Sequence, residues 1–387
     1  MAVRSRGITE KEQCRTSIGY LSQPTLRPKG MRAMSEANIT SVPNFDHEQS
    51  LDLRERQIAV LGSWSQIGHV IYALGELCVA DHLAAGPRTV EELAAATDTN
   101  PSALRRVLRC AAAVGIFAEQ EDDERFALAP LGEGLKSNKI GGLRPMVLFS
   151  AADFTRLPYA EILHSVRTGE PAFDRVYGMP FYKYLETHPE ANRFFEGFMT
   201  HWGRRLADRF AGELSPERFF RIADIGGGNG YFLAKMLQRH ADGMGVLFDF
   251  PSMVADADAV INEHGVADRV TIVAGDFFGD SLPAGCDAYI LRSILHKWSD
   301  QQSEIILRQI RTAMGEVDSR LIVIDQVIPP LNQWDHAKVL DIDMLVLFGG
   351  KERNLREWQR LFADTGFELT NQPAVRGWTL LEARPSR

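Results

Sequence analysis

The stretch "FFRIADIGGGNGYF", Phe219–Phe232, runs an apolar segment directly into glycines at 226, 227, 228 and 230. A short apolar run that stops at glycine reads as a buried strand, and the helical pattern of "YFLAKMLQRH" makes the glycines a strand-to-helix turn. Glycine lets the backbone pass close to a ligand there, and the helix that follows offers free N–H donors. The dinucleotide fingerprint G-x-G-x-x-G is not met, because the frame from Gly226 puts Tyr231 at its last position. A nicotinamide dinucleotide is therefore disfavoured.

Downstream, the pattern alternates. "GVLFDF" reads as a strand, "SMVADADAVINEHG" as a helix and "RVTIVAGDFF" as a strand. "CDAYILRSIL" and "SRLIVIDQVI" add two strands around the helix near "SEIILRQIRTAM". Repeated β-α-β units predict an α/β fold with a doubly wound, mostly parallel sheet that binds ligands at the carboxyl ends of its strands. No internal repeat is evident.

Upstream, Ile58, Leu61, Trp64, Ile67, Val70, Ile71, Leu74 and Leu77 recur at helical spacing and predict one or two helices with a broad apolar face. "RTVEELAAATDTNPSALRRVLRCAAAVGIFAEQEDDERFALAPLGEGL" reads as helix, turn, helix and a short strand pair, a winged-helix pattern. The helix-forming, aromatic "FYKYLETHPEANRFFEGFMTHWGRRLADRF" leads to Ser215-Pro216, where the domain boundary is expected. The expected organisation is a disordered arm or upstream start over 1–45, a mainly helical domain over 46–214 and the α/β domain over 215–387.

Composition narrows the function classes. The 387 residues are 45% apolar and 24% charged, ordinary for a globular protein. A net charge of -8 argues against a nucleic-acid backbone as main partner. Arg105, Arg106 and Arg109 on the second helix of the winged-helix pattern either face phosphates or form a solvated face, and the acidic chain favours the second. Cys14, Cys78, Cys110 and Cys286 lack metal-ligand or disulfide-framework spacing, so no metal site is expected and a reducing, cytoplasmic setting fits. No apolar run reaches the roughly 18 residues that cross a bilayer, so no membrane partner is expected.

Two further strand ends carry carboxylates. Asp249 in "LFDFP" either accepts both ribose hydroxyls of an adenosine lying across the sheet or caps a turn before Pro251. Asp276 in "AGDFF" ends the next strand in the same way, with Phe277 in reach of an adenine ring. Glycines and two aspartates at three successive strand ends are more specific together than singly. His296 in "LRSILHKWSD" lies beyond the fourth strand, and reads either as a structural imidazole with backbone partners or as a group aimed at a substrate.

In order and spacing, "DIGGGNG", "FDFP", "GDFF", "LRSILHKWSD" and "GGKERNLREW" resemble the small-molecule O-methyltransferases that use S-adenosylmethionine, of the plant phenolic and bacterial polyketide-tailoring kinds. The likeness runs from about Arg56 to Leu381. It implies that Gly226 and Gly228 approach the methionine part of the cofactor, that Asp249 holds the ribose, and that Asp276 and Phe277 hold the adenine. Arg292 falls where plant relatives often carry a cofactor-contacting lysine. His296 falls on the catalytic base, with Asp325 in "VIDQVI" and Glu352 in "GGKER" on the acidic positions beside it. Glu352 also has a plain reading, a surface salt bridge with Lys351 or Arg353. The resemblance further implies an acceptor slot lined by Phe195, Met199, Trp202, Met344 and Phe348, and a homodimer formed through the N-terminal helical region.

The chain departs from the family pattern at two places. Lys297 replaces the aspartate that commonly follows the base, and Asp325 is shorter than the glutamate of many plant members. The expected function is methyl transfer from S-adenosylmethionine to a hydroxyl of an aromatic or polyketide-like small molecule, with nitrogen acceptance left open. The alternatives are a cofactor-binding relative with a hydroxylase or decarboxylase reaction and, from a different class, a winged-helix DNA regulator.

Overall fold

A computed structural model describes residues 58, 61–120, 124–139, 142–316, 318–371 and 377–386. The arm expected over 1–45 lies outside them. Two compact units meet at Ala151–Ala152, some sixty residues before the boundary expected at Ser215-Pro216. The helices between Asp153 and Glu213 thus belong with the large sheet, a grouping that helical periodicity cannot reveal because it reports which face is apolar and not what covers it.

The first unit starts with α1 (Trp64–Glu76) and the short α2 (Val79–His82). Then come β1 (Arg88–Thr89), α3 (Val90–Thr97), α4 (Pro101–Ala113), β2 (Phe117–Glu119), β3 (Arg125–Leu128) and α5 (Arg144–Ala151). The sequence sets these boundaries locally. Thr89 and Glu92 form a reciprocal capping box at the start of α3, and Asn100 caps α4 with Pro101 at its first position. The three strands pair antiparallel in the order β1-β3-β2, the winged-helix arrangement. Their core includes Leu74, Val90, Leu93, Leu108, Phe117 and Phe126. Arg105 bridges Glu91 and Glu124, and Arg109 bridges Glu119, so this helix face is largely neutralised from within. At the other end, Ile58, Leu61 and Trp64 are exposed. Cys110 and Cys286 are free thiols.

The second unit opens with α6 (Asp153–Ala160), α7 (Ile162–Thr168), α8 (Ala172–Tyr177), α9 (Phe181–Thr187) and α10 (Pro189–Glu213). The α/β part follows: β4 (Arg221–Ile225), α11 (Tyr231–Arg239), β5 (Met244–Asp249), α12 (Ala257–Glu263), β6 (Val270–Ala274), β7 (Ala288–Arg292), α13 (Asp300–Met314) and β8 (Arg320–Ile328). It closes with α14 (His336–Asp343), a π-helical turn Met344–Phe348, β9 (Arg353–Asn354), α15 (Leu355–Asp364), β10 (Phe367–Leu369) and β11 (Gly377–Pro385).

The sheet runs β10-β11-β8-β7-β4-β5-β6, with β9 added beside β8. Strands β4 to β9 pair parallel, and only β10 and β11 are antiparallel. The doubly wound, mostly parallel sheet expected from the sequence is thus present. Its order reverses at β4, with β5 on one side and β7 on the other, so a crevice opens beyond the carboxyl ends of β4 and β7. One core lies on each face, led by Phe248, Tyr289, Leu291 and Trp358 on one side and by Phe210, Phe232, Leu247 and Ile290 on the other. Among the described residues, no helix is long and apolar enough to cross a membrane.

Candidate active site

The glycine turn after β4 is tied to the end of β5. Gly226 and Gly228 have φ of 74° and 60°, which side chains disfavour. A Cβ on Gly226 would stand 2.4 Å from Ile294 Cδ1, whereas one on Gly228 would meet nothing within 4 Å. The backbone at 228 therefore faces open space. The Gly228 N–H donates to Asp249 Oδ2 at 2.8 Å and the Phe250 N–H to Oδ1 at 2.7 Å. Each carboxylate oxygen keeps a lone pair for a further donor. Burial pushes the Asp249 pKa up, and the two amide bonds oppose that shift.

Asp224, inside the motif but not singled out from the sequence, lies beneath the same turn. A Cβ on Gly227 would come within 2.6 Å of its Oδ2. Both Asp224 oxygens are buried without a hydrogen-bond partner in the structure, and burial raises its pKa to about 7. The cue was present in "ADIGGG", since a charged residue within an otherwise apolar strand needs a reason. Arg292, at the end of β7, packs its guanidinium 5.1 Å from the centre of the Phe232 ring. Its Nε also lacks a partner, and the charges of Asp224 and Asp325 oppose the lowering of its pKa by burial.

The next strand end is less enclosed. Asp276 is exposed, and its Oδ1 accepts the Phe278 N–H at 2.8 Å. Phe277 is buried, its ring packed among Phe250, Phe278 and Trp298 at centroid distances of 4.9, 5.0 and 5.9 Å.

His296 sits on a single 3-10 turn, Leu295–Lys297, reached from β7 through Ser293, whose φ is 59°. Its imidazole is buried and its Nδ1 lies 2.7 Å from Glu352 Oε1. Nε2 has no hydrogen-bond partner in the structure. The Ser293 backbone acts on the imidazole and raises its pKa, but Nε2 has no hydrogen bond of full geometry, as a histidine satisfied by backbone groups would. Burial lowers the imidazole pKa to about 4, with the Asp325 charge opposing the shift. Glu352 is pushed well above the ordinary carboxylate range by burial and by Asp341. Asp325 is fully buried with both oxygens lacking partners, and burial raises it to about 7. The structure thus bonds Glu352 to the imidazole directly, while Asp325 acts on it only through charge.

The segment carrying Glu352 is fixed by its neighbours. A Cβ on Gly350 would stand 2.1 Å from the His296 carbonyl oxygen, so only glycine lets the two loops touch. The Glu352 N–H donates to Asp341 Oδ1 at 2.8 Å. Arg353, fully buried, donates to the carbonyls of Leu295 and Trp298 at 2.9 and 3.1 Å and from Nε to Asp300 Oδ1 at 2.9 Å. The plain alternative for Glu352, an ion pair with Lys351 or Arg353, does not occur; both neighbours pair with Asp300 instead. Arg353 was missed as a positioning residue because only the fold brings it around the histidine turn.

Of the residues expected to line the acceptor slot, Phe195 and Phe348 come together across Phe181, with ring centroids 5.2 and 4.6 Å from it. Tyr182, also not singled out, lies 6.2 and 6.1 Å from the same two rings. Met344 is buried at the start of the π-helical turn and Met199 is half-buried on α10. The side chain of Trp202 lies outside the described residues.

These features fit S-adenosylmethionine. The open backbone at Gly228, the spare lone pairs of Asp249 and the unpartnered Asp224 carboxylate suit a ligand with a ribose diol and an ammonium group. The comparisons agree. An O-methyltransferase domain matches residues 159–368, and an O-methyltransferase dimerisation domain matches residues 65–137. The chain belongs to the S-adenosylmethionine-dependent O-methyltransferase family.

The chain is 40% identical over 323 residues to the 8-amino-8-demethylriboflavin N,N-dimethyltransferase of Streptomyces davaonensis, covering 82% of this chain and 92% of that protein. It is 36% identical over 327 residues to the phenazine O-methyltransferase PhzM of Lysobacter antibioticus, covering 84% and 94%. A solved O-methyltransferase from neocarzinostatin biosynthesis, in complex with S-adenosylmethionine and 2-hydroxy-5-methyl naphthoic acid, superposes with a TM-score of 0.72 at 31% identity, covering 82% of this chain and 96% of that one.

Proposed function

We propose that the enzyme methylates a hydroxyl of an aromatic or polyketide-like small molecule, with His296 as the general base. The observation that carries this reading is the His296 imidazole, bonded to Glu352 through Nδ1 and unpartnered at Nε2 beside the β4–β7 crevice. Phe181, Tyr182, Phe195 and Phe348 favour a flat, apolar acceptor.

S-adenosylmethionine, when bound, supplies a methyl group on a sulfonium. Asp249 would hold its ribose hydroxyls, with Asp276 and Phe277 at the adenine end, Gly226 and Gly228 along the methionine part, and Asp224 and Arg292 at its charged end. With Glu352 ionised, Nδ1–H donates to it and Nε2 presents its lone pair to the acceptor hydroxyl. The acceptor O–H proton would pass to Nε2 as the hydroxyl oxygen takes up the methyl group. Glu352 then faces an imidazolium and stabilises it, while Asp325 adds negative charge without a hydrogen bond to the ring. Burial keeps the free imidazole neutral at pH 7, the form a base needs.

The relative that methylates nitrogen makes an aromatic amine the second acceptor class to include. The dimerisation-domain match and the exposed Ile58, Leu61 and Trp64 support a homodimer. Incubation with methyl-labelled cofactor and a panel of phenols, enols and anilines tests the reaction: S-adenosylhomocysteine release in step with a methylated phenol is expected, and cofactor binding without methyl transfer overturns it. Light scattering at micromolar concentration tests the dimer, and the mass of one chain overturns that part.

A further inference from the structure

We propose that Lys297 selects the acceptor by pairing with a carboxylate carried ortho to the hydroxyl that is methylated. The proposal rests on the acceptor site described above and specifies which aromatic hydroxy compounds enter it. Lys297 follows His296 on the same 3-10 turn, and its charge acts on the imidazole. Its ammonium lies 5.9 Å from the centre of the Tyr182 ring, and Tyr182 touches both Phe195 and Phe348. The positive charge therefore stands where the aromatic slot meets the base.

The charged groups facing Lys297 are Asp249, Asp325 and Arg292. The Lys297 N–H donates to the Ile294 carbonyl at 3.1 Å, whereas among the described residues the ammonium has no hydrogen bond or ion pair, although Asp249 and Asp325 attract it. An enclosed ammonium without a close partner is costly, and burial pulls its pKa down to about 8, so it still carries its charge at neutral pH. A ligand anion removes that cost by pairing. With a hydroxyl on His296 Nε2 and the ring in the slot, an ortho carboxylate lies next to the reacting oxygen, within reach of the neighbouring lysine. An aspartate at this position would repel the same group, so lysine inverts the preference. The ion pair exists before and during methyl transfer, so its effect falls on KM more than on kcat.

The test uses ortho-hydroxyaryl carboxylates, each paired with its methyl ester, with the full-length enzyme and K297M. Binding is measured by calorimetry in the presence of S-adenosylhomocysteine, so that it is read independently of turnover. The wild type is expected to bind the acids about thirtyfold tighter than the esters, a discrimination typical of an enclosed charge pair, and K297M to lose that preference. K297R is expected to recover part of it. Equal affinity of the wild type for acid and ester overturns the proposal, as does an undiminished preference in K297M. Weakened S-adenosylhomocysteine binding in K297M, with the acid preference intact, would assign the lysine to the cofactor and also overturn it. Failure of methyl transfer with the acid preference present would instead refute the base reading and leave the lysine assignment standing.

Discussion

Asp249, the last residue of β5, and Glu352, just before β9, are both buried carboxylates, yet the chain satisfies them in opposite ways. Asp249 has one backbone N–H on each oxygen, from Gly228 and Phe250. Glu352 has one oxygen on a histidine and the other on no partner, and nearby Asp325 has none on either oxygen. Fixed amides make the first site a preformed anion holder whose state hardly changes when a ligand arrives. The second site stores unsatisfied polar groups and shifted protons, the condition of a cluster that must gain and lose a proton. On the proposed reading, binding and chemistry separate along the crevice, so substitutions at the two ends should fail differently.

The largest effect is expected for His296→Ala. Loss of a general base costs about a hundred- to ten-thousandfold in rate. Cofactor affinity should stay near wild type, because the adenosine is held at the other end. Raising the pH should restore part of the rate by ionising the acceptor in solution. Single-turnover rates with a weakly acidic phenol check this, and an unimpaired variant at neutral pH would return His296 to a structural role.

Asp249→Ala should do the reverse. Removing a charged acceptor from two ribose hydroxyls, and from two backbone amides, should cost about 2 to 3 kcal/mol, roughly a hundredfold in cofactor affinity. Calorimetry with S-adenosylhomocysteine gives the number directly, and unchanged affinity would leave Asp249 as a turn cap.

Glu352→Gln sharpens the comparison through pH. Glutamine still accepts from Nδ1–H, so the ring orientation survives, but the charge that offsets the imidazolium is gone; about 2 kcal/mol, or thirtyfold in kcat, should be lost. Because the folded-state pKa of Glu352 is raised, the ionised form is present above that pKa and lost as the pH falls through it. The acid limb of wild-type kcat/KM should therefore lie above the ordinary carboxylate range, although the imidazole itself stays neutral down to about 4. The limb should move toward that lower value in the variant. An unchanged limb would assign it to another group, with Asp325, raised to about 7, the first to examine.

How much of this was legible in the sequence follows from the range of the interactions. The glycine turn and Asp249 are bracketed by strand and helix patterns, so "ADIGGGNGYF" and "LFDFP" were sufficient to place them at strand ends. The parallel sheet was readable for the same reason. Glu352 was reached only through family resemblance, since 56 residues separate it from His296 and nothing local marks it. Arg353, Tyr182 and the lack of a hydrogen bond from Asp325 to the ring were not readable, because each depends on how distant segments cross. The unit boundary near residue 151 was missed on the same ground.

The smallest effect is expected at Asp276, the strand-end carboxylate least like Asp249. It is exposed, so water competes for any hydrogen bond it makes to an adenine, and its Oδ1 is already engaged by the Phe278 N–H. A solvent-accessible hydrogen bond is worth about 1 kcal/mol, so Asp276→Ala should weaken cofactor binding roughly fivefold. The alanine variant also removes the local turn bond, which would disturb Phe277 and Phe278. Asp276→Asn separates the two causes, because its side-chain oxygen still accepts from Phe278 while the charge is lost. If the asparagine variant binds like wild type and alanine does not, Asp276 shapes the turn and contributes little to the adenine directly. If asparagine is as weak as alanine, the carboxylate itself meets the ligand, and the preformed end of the crevice extends one strand further than burial alone indicates.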